Sequence, residues 1–133
     1  MAIDPKRLAM IVAVLSRHAR VALGQADVFV NVAGGVRIDE PGADLAVALA
    51  IASAARRVPV SEGVGAFGEI GLTGRLRPAA QEERRLDECR KLGLRTALVP
   101  AVTSARGKMH VLEAETLRVA IRNGLDADRP EGE

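Results

Sequence analysis

The side chains of this chain best suited to chemistry are its arginines, which make up 16 of the 19 basic residues. Arg75 and Arg77 alternate with Leu76, so in an extended segment both guanidiniums leave the same face. Arginine's planar fork suits phosphates and carboxylates better than a lysine ammonium does. Aromatics are only 2% of the chain, Phe29 and Phe67, which nearly excludes base stacking on aromatic platforms. Arginines without interleaved aromatics point to phosphate contacts that read no base sequence. Arg37, Arg84 and Arg85 join Arg75 and Arg77 as candidates for such contacts, with Arg95, Arg106 and Lys108 behind them. The competing reading pairs these arginines with carboxylates such as Glu69 or Asp44, or turns them to solvent or a neighbouring subunit.

Other chemistry is sparse. The chain has no Gly-x-x-x-x-Gly-Lys-Ser/Thr phosphate loop. His18 and His110 lack a metal-ligand spacing. His18, beside Arg17 and Arg20, reads as a solvated surface side chain. The single cysteine, Cys89, excludes an internal disulfide and a multi-cysteine zinc site, and suits a reducing cytosol. Its place on the inward stripe of a helix favours core over nucleophile. Asp39, Glu40 and Asp44 cluster where a helix begins, where acids are favoured by the macrodipole. Neither a metal site nor a catalytic residue is expected.

At 133 residues one domain with one core is expected, burying about 65–70% of the unfolded chain's surface. The 48% apolar content is ordinary, so with two phenylalanines the core is built from Ala, Val, Leu and Ile. No signal peptide or bilayer-length apolar run is visible, and a cytoplasmic protein that meets no membrane is expected. Net charge is +2 overall, but the residues after Gly124 carry four acids against one arginine. Without them 18 basic and 13 acidic residues remain. Residues 1–124 are read as the domain and 125–133 as a disordered acidic tail.

Helix and strand signals alternate along the chain. Asp4-Pro5 is an N-cap followed by proline at the first helical position. Leu8, Ile11, Val12 and Leu15 then predict an amphipathic helix over residues 5–20. Val28, Val30 and Val32 predict a strand stopped by Gly34-Gly35, with Val36 to Ile38 a second extended piece. Pro41 opens a helix through Arg57 whose middle, Leu45 to Ala52, is apolar all round and so buried on most sides. A hairpin is predicted with Phe67 to Leu72 as one arm, Thr73-Gly74 at the bend and Arg75 to Arg77 as the other. A helix over 80–92 turns Leu86, Cys89 and Leu92 inward and ends at Gly93. Thr96 to Val99 and Met109 to Leu112 read as strands, and Glu115 to Asn123 as a last helix. The class is α/β or α+β.

The run Gly68-Glu-Ile-Gly-Leu-Thr-Gly-Arg-Leu-Arg-Pro78 resembles the segment of Lon-type protease domains that leads into the catalytic lysine. Three segments together are more specific. Residues 27–41 with 43–53, residues 67–78, and Arg84 to Arg95 with Val-Pro after it are similar to the Lon-like C-terminal domain of the bacterial RadA (Sms) DNA repair family. The opening Arg7 to Leu15 fits as well. The resemblance covers nearly the whole chain. It implies a single Lon-protease-like domain, with mixed small sheets packed against helices in a ribosomal-protein-like two-layer fold.

In the active Lon pattern the nucleophilic serine follows a proline at a helix start. Here Glu40-Pro41-Gly42-Ala43-Asp44 puts Gly42 at that position, and Glu83 stands five residues after Pro78, where the lysine belongs. A serine nucleophile needs a hydroxyl and a neutral amine to take its proton, and glycine and a carboxylate supply neither. Ser53, Ser61, Thr73 and Ser104 lie in no nucleophile context. The resemblance therefore implies a non-catalytic domain that scaffolds a hexamer and holds single-stranded or branched DNA for branch migration. The ATPase with its ATP and Mg, and a four-cysteine Zn finger, belong to a part of such proteins absent from these residues, so the chain reads as an excised domain. The alternatives are a Lon-type serine peptidase, a peptide-gripping pseudo-peptidase, and an oligomerisation scaffold without DNA contact.

Overall fold

The computed structural model describes residues 4–24, 27, 28, 30, 40–101, 103 and 109–125. Helix α1, Pro5–His18, starts as the sequence dictates: Lys6 N–H donates to the Asp4 carboxylate at 3.0 Å, with Pro5 at the first position. Ile11, Val14 and Leu15 form its buried stripe, flanked by Leu8, Met10 and Val12. A 3-10 turn, Pro41–Ala43, leads into α2, Asp44–Arg56. Seven of the nine residues from Asp44 to Ala52 are buried, as an all-round apolar helix requires. Two of its alanines, Ala48 and Ala52, are fully enclosed, which lets α1 and the last helix approach closely.

Strands β1 (Val64–Ala66), β4 (Thr96–Pro100) and β5 (His110–Ala114) form a parallel sheet in the order β1-β4-β5. The central strand β4 is buried on both faces. Leu98 faces the main core with α1, α2 and α4 (Leu117–Gly124), while Ala97 and Val99 face a second cluster with Phe67, Ala79 and Leu86. This period of two, apolar on both sides, is the signature of a covered parallel strand. Leu86 belongs to α3, Glu82–Lys91, which therefore covers the face opposite the other three helices. The remaining strands, β2 (Glu69–Ile70) and β3 (Leu76–Arg77), make an antiparallel hairpin. The mixed α/β class expected from the sequence is what the molecule shows.

Some local expectations change. Leu92 is 75% exposed: α3 ends at Lys91, and Gly93 and Leu94 N–H groups turn back to the Arg90 and Cys89 carbonyls, both at 3.0 Å. That Schellman closure brings Leu94 inward in place of Leu92, where its Cδ1 packs over Gly65. Strand β1 carried no sequence signal. Of the strand expected over 28–32, Val28 and Val30 pack partly buried on the main core, and the rest lies outside the described residues. Leu125 is 5% exposed and pairs with Val60. The acidic residues beyond it are outside the described part.

Candidate nucleic-acid interface

The hairpin is held by three elements. Glu69 pairs with Arg77 and Ile70 with Leu76. Gly71 N–H donates to the Arg75 carbonyl at 2.8 Å, and Gly74 N–H to the Gly71 carbonyl at 3.0 Å. The loop is thus the three residues Leu72, Thr73 and Gly74, closed by a glycine at φ +88°, not the two-residue bend expected. Beyond it, Arg75 bridges to Thr116, the Leu117 N–H donates to the Gly74 carbonyl at 2.8 Å, and the Leu76 N–H to Glu115 O at 2.9 Å. Leu76 is buried, and Arg75 and Arg77 on either side are exposed. The predicted shared face is therefore present.

Its base is a buried ionic knot. The Asp44 carboxylate is 1% exposed and accepts from Arg7 Nε at 2.5 Å, Arg7 Nη2 at 2.8 Å and the Ile70 N–H at 3.0 Å. It ties the start of α1 to the start of α2 and to β2. The Asp44 hydrogen bond, opposed by burial and reinforced by the charges of Asp44, Glu69 and Asp4, holds the Arg7 guanidinium above its ordinary pKa. Because Asp44 is taken by Arg7, it is not a partner for the hairpin arginines. Arg77 lies 3.8 Å from Glu69 in an open ion pair, and Arg75 makes no salt bridge among the described residues.

The space above Gly42 is filled by another side chain. Gly42 is buried, and a β-carbon built on it would lie 2.7 Å from Arg85 Nη2, 2.8 Å from Arg85 Cζ and 3.0 Å from Ala79 Cβ. The Arg85 guanidinium is fixed there, donating to Glu40 Oε2 at 2.7 Å and to the Ala80 carbonyl at 2.8 Å. Arg84 is exposed and, with Arg85, Phe67 and Cys89, lines an open groove of about 430 Å³ beside this point. Glu83 is exposed. Cys89 is half-buried; desolvation first and the Glu88 charge second push its thiol pKa up, the reverse of an activated thiolate.

Thus Arg75 and Arg77 are brought together on the hairpin, and Arg84 and Arg85 on α3, with Arg85 committed to internal partners. Arg37, Arg106 and Lys108 lie outside the described residues, and Arg95 is exposed next to β4. Four arginines not singled out by sequence, Arg20, Arg56, Arg118 and Arg122, line a pocket of about 270 Å³ between the ends of α1 and α2 and the outer face of α4. One signal for them was present: Arg118 and Arg122 are four apart in a predicted helix, hence on one face. No helix among the described residues is long and apolar enough to cross a membrane.

The family model described as subunit ChlI of Mg-chelatase matches residues 6–103, and the chain belongs to that family. Within it, the likeness is to a DNA repair protein. The chain is 44% identical over 121 residues to the DNA repair protein RadA of Mycolicibacterium smegmatis, covering 90% of this chain and 26% of that protein. It is 41% identical over 125 residues to RadA of Mycobacterium tuberculosis, 93% of this chain and 26% of that protein. For RadA of Escherichia coli the figures are 44% over 99 residues, 74% and 22%. The RadA resemblance read from the sequence is borne out, and the chain spans about a quarter of the length of the curated relatives it matches.

Proposed function

We propose that this chain is the non-catalytic Lon-like domain of a RadA-type DNA repair protein of the cytoplasm. It holds DNA through backbone phosphates, independent of sequence, and helps join copies of the protein into a hexameric ring. The domain is read as residues 1–124, with the buried Leu125 packed onto it and an acidic tail after that. The motor, with its nucleotide and metals, belongs on this reading to the three quarters of a RadA-type protein that the chain does not match. DNA contact falls to Arg75 and Arg77, which project from a pinned hairpin, with Arg84 exposed on α3 and Arg37 in support. Arg85 contributes less, because Glu40 and Ala80 already hold it.

The observation that carries the non-catalytic reading is the packing at Gly42. The side-chain direction a nucleophile would use is occupied by a guanidinium held by two hydrogen bonds. A serine peptidase needs that space for a hydroxyl and for its base. Incubation with casein and fluorogenic peptides is expected to give no turnover sensitive to serine-protease inhibitors; inhibitor-sensitive cleavage would end this reading. For the DNA half, log affinity is expected to fall with log salt at about 0.7–0.9 per phosphate neutralised, similarly for unrelated sequences. Arg75→Ala with Arg77→Ala should weaken binding and flatten the slope at unchanged oligomer mass. Unchanged affinity and slope would leave the domain as scaffold alone. A strictly monomeric mass by light scattering at high concentration would remove the ring.

A further inference from the structure

We infer that Arg20, Arg56, Arg118 and Arg122 form a pocket that seats one backbone phosphate of the bound nucleic acid. This rests on the DNA-binding reading above and gives it a site that the hairpin alone does not supply.

The four arginines converge from three chain segments onto an apolar floor that includes Val58 and Ile121, and no carboxylate among the described residues lines the pocket. None of the four takes part in a salt bridge among the described residues, where Arg7, Arg77, Arg85, Arg90 and Lys91 all do. One member builds the wall: Arg56 Nη2 donates to the Ala19 and Arg20 carbonyls, each at 3.3 Å. The negative ends of α1 and α2 ease the charge of Arg20 and Arg56. They do nothing for Arg118, which sits in the first turn of α4, just after the Thr116 cap, where the helix dipole opposes a cation and favours an anion. Arg118 and Arg122, one turn apart, repel each other as well. Arg20 itself holds φ +58°, the left-handed turn that closes α1 after its Ala19 cap. A bound anion offsets both the dipole penalty at Arg118 and the repulsion between Arg118 and Arg122.

The pocket adjoins the hairpin. Arg75 bridges Thr116, two residues before Arg118. A β-carbon on Gly74 would touch His18, two residues before Arg20, at 2.9 Å. A strand whose phosphates meet Arg75 therefore runs on toward the pocket. That continuity favours a nucleic-acid phosphate over a carboxylate of a neighbouring subunit.

The test uses the full chain with Arg118→Gln, Arg122→Gln and the double variant; Arg56 is left alone because it closes α1. Both substituted side chains are exposed and glutamine is a good helix former, so melting temperature should hold. Against two unrelated single-stranded oligonucleotides, the double variant should bind more weakly by the same factor for both. Its log–log salt slope should flatten by about 0.7, one phosphate's worth on a single strand despite two lost charges. Between 50 and 200 mM salt it should therefore lose about threefold less affinity than the parent chain. Millimolar inorganic phosphate should shift the Nε–H resonances of Arg118 and Arg122 in the parent chain. If the hairpin variant binds normally and the pocket variant does not, the pocket stands and the hairpin assignment falls. Unchanged affinity and slope in the folded pocket variant overturn the pocket, as does the absence of any phosphate-induced shift. A drop in oligomer mass at unchanged DNA affinity also overturns it, and gives the four arginines to a subunit contact.

Discussion

Asp44→Ala is the substitution on which the architecture makes its sharpest demand. The carboxylate is 1% exposed and accepts three hydrogen bonds, two from Arg7 and one from the Ile70 N–H. Removing it leaves a guanidinium and a buried amide without their acceptor. Breaking a buried ion pair from one side costs about 3–5 kcal/mol. The Arg7 side chain is 24% exposed, so water recovers part of its solvation and the low end, about 3 kcal/mol, is expected. At about 2.1 cal/mol/K per residue, 133 residues give an unfolding entropy of about 0.28 kcal/mol/K, and the loss lowers Tm by about 11 °C. Asp44→Asn keeps an acceptor for one of the three donors and should cost about half as much.

The measurement is urea and thermal unfolding of the single variants, Arg7→Met and the double. If the pair is the cause, the double variant loses at least about 1 kcal/mol less than the sum of the singles. The Arg7 pKa is raised on folding. A raised pKa contributes stability below the unfolded value that is lost only as pH climbs through the folded one. For arginine both lie above the usable range, so no alkaline melting step should come from this side of the pair. A loss below about 1 kcal/mol for Asp44→Ala, or strict additivity in the cycle, would refute the reasoning.

Three further outcomes follow from single contacts. Gly42→Ser puts an atom 2.7 Å from the Arg85 guanidinium and 3.0 Å from Ala79 Cβ; overpacking should cost about 1–3 kcal/mol in denaturant melts. Adding Arg85→Ala should recover part of that loss without creating peptidase turnover. Gly74→Ala meets both φ +88° and a 2.9 Å approach to His18 Cβ, and is expected to cost about 1–3 kcal/mol and to lower DNA affinity by displacing the hairpin. The Cys89 thiol, with its pKa pushed up by burial and Glu88, should react with iodoacetamide more slowly than a free thiol at pH 8. A raised thiol pKa means its contribution to stability is kept below the free-thiol value and fades as pH climbs through the folded one. Cys89→Ala should therefore flatten the alkaline limb of the stability curve.

Much of the fold was legible where one segment decides its own structure. Asp4-Pro5 fixes the start of α1, and the all-apolar stretch Leu45 to Ala52 can only be a central helix. Thr96 to Val99 read as a buried strand, and the strand runs one residue further, through Pro100. The misreadings fall where a distant partner decides. Val64–Ala66 has no alternation or β-branched run, and is a strand because Thr96 to Leu98 supply its ladder. Leu92 fits the inward stripe by spacing, but the closure at Gly93 turns Leu94, half-buried over Gly65, inward in its place.

The same division governs the site. Arg75 and Arg77 were legible because alternation with a buried Leu76 is a property of three consecutive residues. The role of Arg85 was not. Its neighbours in sequence suggest a solvated helix face, yet it reaches 43 residues back to fill the space above Gly42. That contact links two residues far apart in sequence, a glycine without a side chain and the arginine that takes its space. A β-carbon at position 42 and the present Arg85 conformation exclude each other, so any side chain at that position requires displacing Arg85. Arg20, Arg56, Arg118 and Arg122 were hidden for a related reason: each lies in a different local pattern or a different turn, and only the packing of α1, α2 and α4 makes them neighbours. A helix terminus explains a lone cation, and a carboxylate explains a pair. Four guanidiniums around one hollow, one of them at the wrong end of its helix, call for an anion that the chain's described residues do not provide.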